Sequence, residues 1–422
     1  MKNLLKILVL FAVMVMSSQS ANATNGDNLI AVGPISRAMG GVGIAAPQDA
    51  ISAVFSNPAA MCFGPYCPAS EVNFAGSLFI PTTSAEVSYG DQTTKTDGKT
   101  TVYAIPAFGL SVPITSKYPF FRFGLSAYGV TGLGVDYRDS ALDRGSIPSG
   151  PAAGFPLVSG EYTELQIFKF SPAIAFQPFE RMSFGIGLHV DYSTLDLRQG
   201  TSKNYGIGAQ AGAIYKLTDQ MSFGLNFITP QNINYDNVVD LDQDGNLDGL
   251  ELESPWQVGV GLAYTFLENK LLVEGDVKWL NWSGANGYED FDWNDQWVFA
   301  IGAQYRPTPK LALRLGYNYA ANPVDDHSGF NGAELATVQG KFMPNYYYES
   351  FRIIGFPAVV EHHITAGISY DLSPRFSVQA GYMHAFENTI KETGTGLDGT
   401  TPASFESSLY ENSIDFGFTW RF

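Results

Sequence analysis

The strongest constraint on this chain is a period-two alternation that recurs from about Glu71 to the C-terminus, in segments of roughly ten residues separated by turns. Between Met182 and Tyr192 one face carries Met182, Phe184, Ile186, Leu188, Val190 and Tyr192, and the other carries Ser183, Gly185, Gly187, His189 and Asp191. Leu311 to Tyr319 repeats the pattern, and so does Leu271 to Trp279, with Glu274, Asp276 and Lys278 on its polar face. Such alternation belongs to strands and not to helices. In a soluble sandwich the polar faces would meet bulk water and be filled by Lys, Glu and Thr. Here they are rich in glycine and serine, which fits a barrel whose apolar face meets lipid and whose other face lines a partly filled lumen.

Composition supports that choice. Only 15% of the 422 residues are charged, against about 25% in soluble domains, while 45% are hydrophobic and 14% aromatic. That much apolar surface excludes disorder. The body of the chain has no run of about 20 apolar residues, so a membrane bundle of helices is excluded as well. With 24 Lys+Arg against 41 Asp+Glu, the net charge of −17 rules out a nucleic-acid partner held by a basic face.

The expected fold is all-β: a 14-stranded antiparallel transmembrane barrel over 71–422. The first strands are read at 71–82, 100–112, 119–131 and 162–177, the last at 375–387 and 412–422. Connections alternate between short and long, as periplasmic turns and extracellular loops do, and an even count puts both termini on the periplasmic side of a bacterial outer membrane. Aromatics at strand ends (Trp279 and Trp282, Tyr317 and Tyr319, Tyr192) read as interfacial girdles facing outer-membrane lipid and lipopolysaccharide. The last strand ends on Phe422, a signal for barrel-assembly machinery, and a closed barrel of this kind is expected to be a monomer.

Lys2 and Lys6, the apolar run Ile7 to Met16 and the Ala21-Asn22-Ala23 triplet read as a signal peptide over 1–23. Its removal takes both lysines and moves the net charge from −17 to −19. Cys62 and Cys67, the only cysteines, are expected to form a local disulfide in an oxidising compartment. Residues 24–70 do not alternate and are expected to form a hatch that plugs the lumen.

The stretch SRAMGGVGIAAPQDAISAVFSNPAAM, Ser36 to Met61, resembles the hatch of the FadL/TodX family of outer-membrane long-chain fatty acid and hydrocarbon transporters, including the Asn57-Pro58-Ala59 motif. SPWQVGVGLAY, LLVEGDVKWLNWS, WVFAIGAQYRP, LALRLGYNYAANPV and HHITAGISYDLSPRFSVQAGYMHAF extend the resemblance over essentially the whole chain. It implies passive uptake of a hydrophobic small molecule, with capture by extracellular loops, transfer to the lumen, hatch rearrangement and lateral exit beside the third strand. No cofactor is implied and no enzymatic activity. A non-specific porin is the competing function, and the hatch speaks against it.

Residues of this chain bear on each step. Pro106 and Pro172 interrupt the second and fourth strands and flank a third strand containing Gly124 and Gly129, so sheet closure can fail there; barrel curvature is the alternative. By parity Lys169, Lys278 and Arg314 face the lumen and could meet a carboxylate ligand. Glu274, Asp276, Asp191 and Asp371 face it too, so pairing among these groups is the alternative, and an acidic lumen suits a neutral hydrocarbon better than a fatty acid anion. Phe342, Tyr346, Phe351 and Phe356 crowd one loop, expected either to be an exposed capture patch or to pack the loop against its neighbours.

One loop has a different chemistry. Asp240, Asp242, Asp244, Asn246, Asp248 and Glu251 occupy positions 1, 3, 5, 7, 9 and 12 of a calcium-loop spacing, with Gly245 at the sharp turn. A structural Ca²⁺ in the loop 240–251 is expected, with a solvated acidic loop as the alternative. No entering helix fits before it, so its role would be to order an extracellular loop.

Overall fold

A computed structural model describes residues 25–63, 70–115 and 120–422. The signal peptide and Cys67 lie outside the described residues; Cys62 is buried. Among the described residues fourteen antiparallel strands close into one barrel. They are β1 (Glu71–Tyr89), β2 (Tyr103–Pro113), β3 (Phe121–Asp136), β4 (Tyr162–Phe179), β5 (Met182–Asp196), β6 (Thr201–Lys216), β7 (Met221–Ile228), β8 (Gln257–Phe266), β9 (Leu271–Leu280), β10 (Gln296–Thr308), β11 (Leu311–Ala320), β12 (His362–Asp371), β13 (Phe376–Thr395) and β14 (Pro402–Arg421). β14 pairs with both β13 and β1, from Glu71 opposite Arg421 to Tyr89 opposite Ala403. Closure joins the first strand to the last, as a sheet in lipid requires. On the outer face Phe376, Phe418, Phe74 and Phe108 run across the closing seam with centroids 5.1 to 5.9 Å apart.

Alternation decides which way each side chain points. Phe184, Ile186 and Leu188 lie on the outer surface, whereas Ser183, His189 and Asp191 are buried inside. Leu313 and Leu315 face out, Arg314 and Asn318 in. No helix among the described residues is long and apolar enough to cross a membrane.

Several boundaries differ from the sequence reading. β1, β13 and β14 reach 19, 20 and 20 residues, so their ends stand above the apolar belt. There Lys391 and Glu406 pair across the ladder at 2.8 Å, and polar cross-strand contacts carry the alternation on. Long strands leave two connections short: 197–200 joins β5 to β6, and 396–401 joins β13 to β14. The remaining long connections fold into a cap. Gln92–Asp97 pairs with β1, Gln231–Val239 pairs with Asp248–Ser254, and Leu335–Val338 pairs with Lys341–Pro344 ahead of a short helix, Asn345–Ser350. Trp282 belongs to this cap and not to a girdle: it is fully buried, and its indole N–H donates to Gln296 at 2.9 Å.

Candidate functional site

Residues Asn25 to Phe63 thread the barrel and are buried against its inner wall. Pro34–Arg37 forms one helical turn, and Arg37 reaches the wall to pair with Asp415 at 3.0 Å while donating to the Ala31 carbonyl at 2.8 Å. The helix Ala50–Ser56 starts from an Asp49/Ser52 capping box. Its first N–H, that of Ala50, is taken by Asn73 at 2.9 Å and Glu71 at 3.2 Å on β1.

Asn57-Pro58-Ala59 has a physical reason. The Asn57 carboxamide oxygen caps the turn Pro58–Cys62 by accepting from Ala59 N–H at 3.1 Å, and proline suits the first position of such a turn. The amide nitrogen donates to three carbonyls: Ile44 in the hatch (2.7 Å), Ala213 on β6 (3.2 Å) and Leu225 on β7 (3.1 Å). A Cβ at Gly212 would overlap that carboxamide. The same holds elsewhere on the wall: Gly185 faces Ala59 and Pro58, Gly224 faces Ile44, Gly302 faces Met39 and Gly316 faces Gly40. Bare backbone on one side lets bare backbone approach on the other.

Above the hatch lies a lumen cavity of about 50 Å³, whose lining includes Asn28, Phe55, Tyr128, Lys169, His189 and Lys278. Lys169 and Lys278 meet here, as inward parity would place them, but both are engaged. Lys169 pairs with Asp191 at 3.4 Å and bonds Gln231, and Lys278 donates to the Gly41 carbonyl at 3.3 Å. Arg314 is not part of this cavity; it donates to Ser369 beneath the hatch.

The wall is breached on one side. β2 and β3 pair from Pro113/Arg122 only up to Ala107/Tyr128, so Tyr103 to Pro106 keep their bonds to β1 and have none to β3. β3 bulges against β4 between Gly129 and Thr131. A cavity of about 330 Å³ opens at this place, lined by Pro106, Ile105, Gly129, Thr131, Phe168 and Tyr192 among others. The hatch supplies a substitute partner: Leu29 N–H donates to the Val130 carbonyl at 3.0 Å. Of the four residues expected at an opening, Pro106 and Gly129 lie here and two do not. Gly124 packs against Met61 and Val54 of the hatch, and Pro172 lines a separate groove on the outer face, beside Ile174, Ile186 and Leu188.

At the long-loop rim, the expected exposed aromatic patch is mostly absent. Phe342 is exposed, whereas Tyr346, Phe351 and Phe356 are buried, and Phe291 packs against Phe351 (5.5 Å) and Phe356 (6.2 Å). These rings close the cap, and a cavity of about 290 Å³ opens among Phe155, Val158, Tyr162, Leu241, Tyr347 and Phe351. His327 donates to Glu349 at 2.9 Å next to Arg352 and Glu392, a buried charge cluster whose members come from three separate segments and which the sequence does not single out.

The acidic loop does not gather all six expected ligands. Carboxylate oxygens of Asp240, Asp242 and Asp244 converge within 4.8 Å. Glu251 instead lies on a strand and accepts from Asn286 at 2.8 Å and from Asn232. Lys341 reaches in, 2.9 Å from Asp242 and 2.7 Å from Asp248. Its hydrogen bond holds the Asp242 carboxyl below the usual range, and the two aspartates raise the lysine. A side-chain ammonium thus does part of a cation's work, because a distant loop folds back onto this one. The full six-residue set does not fit a calcium ion.

Among curated protein sequences none matches. Similar solved structures include the P. putida toluene transporter TodX (18% identity, 93% of this chain and 98% of that one, TM-score 0.65). A Pseudomonas aeruginosa FadL homologue (16%, 95% and 98%, 0.64) and the Ralstonia pickettii toluene transporter TbuX (17%, 93% and 98%, 0.61) share the fold as well. At such identities the likeness speaks to the fold alone. The sequence itself matches over residues 12–209 and 194–329, and on that ground the chain belongs to the outer membrane protein transport family OMPP1/FadL/TodX.

Proposed function

We propose that the protein is a passive outer-membrane channel for hydrophobic small molecules, with monoaromatic hydrocarbons favoured over long-chain fatty acids. The observation that carries this reading is the breach between β2 and β3: an apolar-lined gap in an otherwise closed wall gives a cargo a way sideways into lipid. Preference for a neutral cargo rests on the lumen lysines, which are already held by Asp191 and the Gly41 carbonyl. The toluene transporters of the same fold agree with it. In this reading the cap cavity receives the molecule, the lumen cavity passes it on, the hatch shifts, and Pro106 and Gly129 frame the exit. The short turns and both chain ends face the periplasm, the cap faces lipopolysaccharide, Phe422 serves the assembly machinery, and one chain suffices.

The test is uptake of labelled toluene and oleate by cells carrying the protein, compared with cells lacking it. Faster toluene entry, abolished by a disulfide placed across the β2/β3 gap, is expected. Permeability to small sugars equal to that of an open porin would overturn the reading in favour of a non-specific channel.

For the acidic loop we propose a calcium ion held by Asp240, Asp242 and Asp244, which competes with Lys341 for Asp242 and orders the cap without taking part in transport. Lys341→Gln should then tighten calcium binding in a calorimetric titration; absence of binding by both forms would dismiss the ion.

A further inference from the structure

Gly43, Ile44, Ala45 and Ala46 form neither helix nor strand, and side chains satisfy their four successive N–H groups. Asp276 accepts from Gly43 at 2.9 Å and from Ile44 at 3.1 Å through one oxygen, Oδ2. Glu274 accepts from Ala45 at 2.7 Å and from Ala46 at 3.0 Å through Oε1. Two residues further along β9, Lys278 donates to the Gly41 carbonyl at 3.3 Å. Alternate residues of a strand share one face. Three inward side chains of β9 therefore track the hatch in antiparallel order: 274 on 45–46, 276 on 43–44, 278 on 41.

Other wall contacts to this stretch come from separate strands: Ser222 donates to the Ala45 carbonyl and Asn318 to the Gly40 carbonyl, both at 3.0 Å, and Thr365 accepts from Gly40 N–H at 2.9 Å. Two side chains of β9 thus hold four successive N–H groups of this stretch, more than any other strand does. Glu274 and Asp276 are fully inside the protein, and each keeps a second oxygen with no partner.

We infer that this side-chain ladder is the latch of the hatch, and that Lys278 couples it to the lumen. Lys278 lines the cavity above the hatch while holding Gly41. Resting on the transport reading above, a molecule entering that cavity displaces the Lys278 side chain, and the hatch peels from β9 starting at Gly41. Peeling exposes four N–H groups and two carboxyl groups, which only water can then satisfy. The hatch therefore reseats once the cargo has left. Glu274, Asp276 and Lys278 act as positioning residues.

Amide hydrogen exchange on the full chain in lipid nanodiscs tests both parts. Without ligand, Glu274→Gln should speed exchange at Ala45 and Ala46 on the order of tenfold more than at Gly43 and Ile44, and Asp276→Asn should do the reverse. Ala53 and Asn57, whose amides bond within the hatch, should be unchanged in both and report that the hatch helix is intact. Exchange that rises uniformly through the hatch, or does not rise, overturns the latch. Toluene should speed all four amides in the unaltered chain and none in Lys278→Met; an equal effect in that variant overturns the coupling. If neither toluene nor oleate binds the unaltered chain, the transport reading and the coupling fail together, and the ligand-free exchange pattern still decides the latch.

Discussion

Asn57 shows how one side chain can be demanded by its surroundings: only a carboxamide offers an acceptor to the Ala59 N–H and two donors to carbonyls of the hatch, β6 and β7. His327 is demanded differently, by charge. Its hydrogen bond to Glu349 is the largest influence on it and raises its pKa above the usual 6.5, against burial and the Arg352 charge. A raised folded-state pKa means that its contribution is fully present below that unfolded value and is lost as pH rises through the folded one. The facing groups are Glu349, Glu392, Asp292 and Arg352. Proteolysis of the cap loop 321–361 should accordingly quicken as pH rises above the usual 6.5, and His327→Asn should flatten that profile. A profile unchanged by the substitution would show that the cap is held without this residue.

Strands and hatch meet through glycine, which the sequence displayed without explaining. The inward Gly-Ser faces read as a partly filled lumen, and the filling turns out to be hatch backbone at Gly185, Gly212, Gly224, Gly302 and Gly316. Gly316→Val places a branched side chain on Gly40 and Met39 while raising the strand propensity of β11. The expected result is a barrel that unfolds no more easily than the original but conducts more ions in a planar bilayer, because its plug sits off the wall. Unchanged conductance would mean the hatch is seated elsewhere. Alternation made strand faces legible because it is local. Partners were not legible: Glu274, Asp276 and Lys278 were visible as inward charges, yet their acceptors and donors lie some 230 residues away on hatch backbone, which carries no side-chain signature. Gly124 was misread for the same reason, since a glycine that turns a strand and one that admits a neighbour look alike in sequence.

For the molecule entire, closure comes from a ladder joining the barrel's first and last strands, from Arg421 to Glu71 at 2.9 Å, and from the outer row of phenylalanines. Phe418→Ala deletes two ring pairs, each worth about 0.5–1.5 kcal/mol beyond its area, and should lower the denaturant midpoint of the barrel. No shift would show the rings to be lipid contacts only. Strand number and closure were legible in the sequence because lipid imposes one rule on every span; the cap was not, because its loops answer to each other and not to the bilayer. The glycine-faced wall has one more consequence. Were the plug withdrawn completely, the bore would present its glycine faces together with Asp415, Glu274, Asp276 and Arg314, a hoop far more wettable than the lipid outside. Oily cargo would find that route less hospitable than the plugged one, which favours a sidelong departure past a stopper that loosens without leaving.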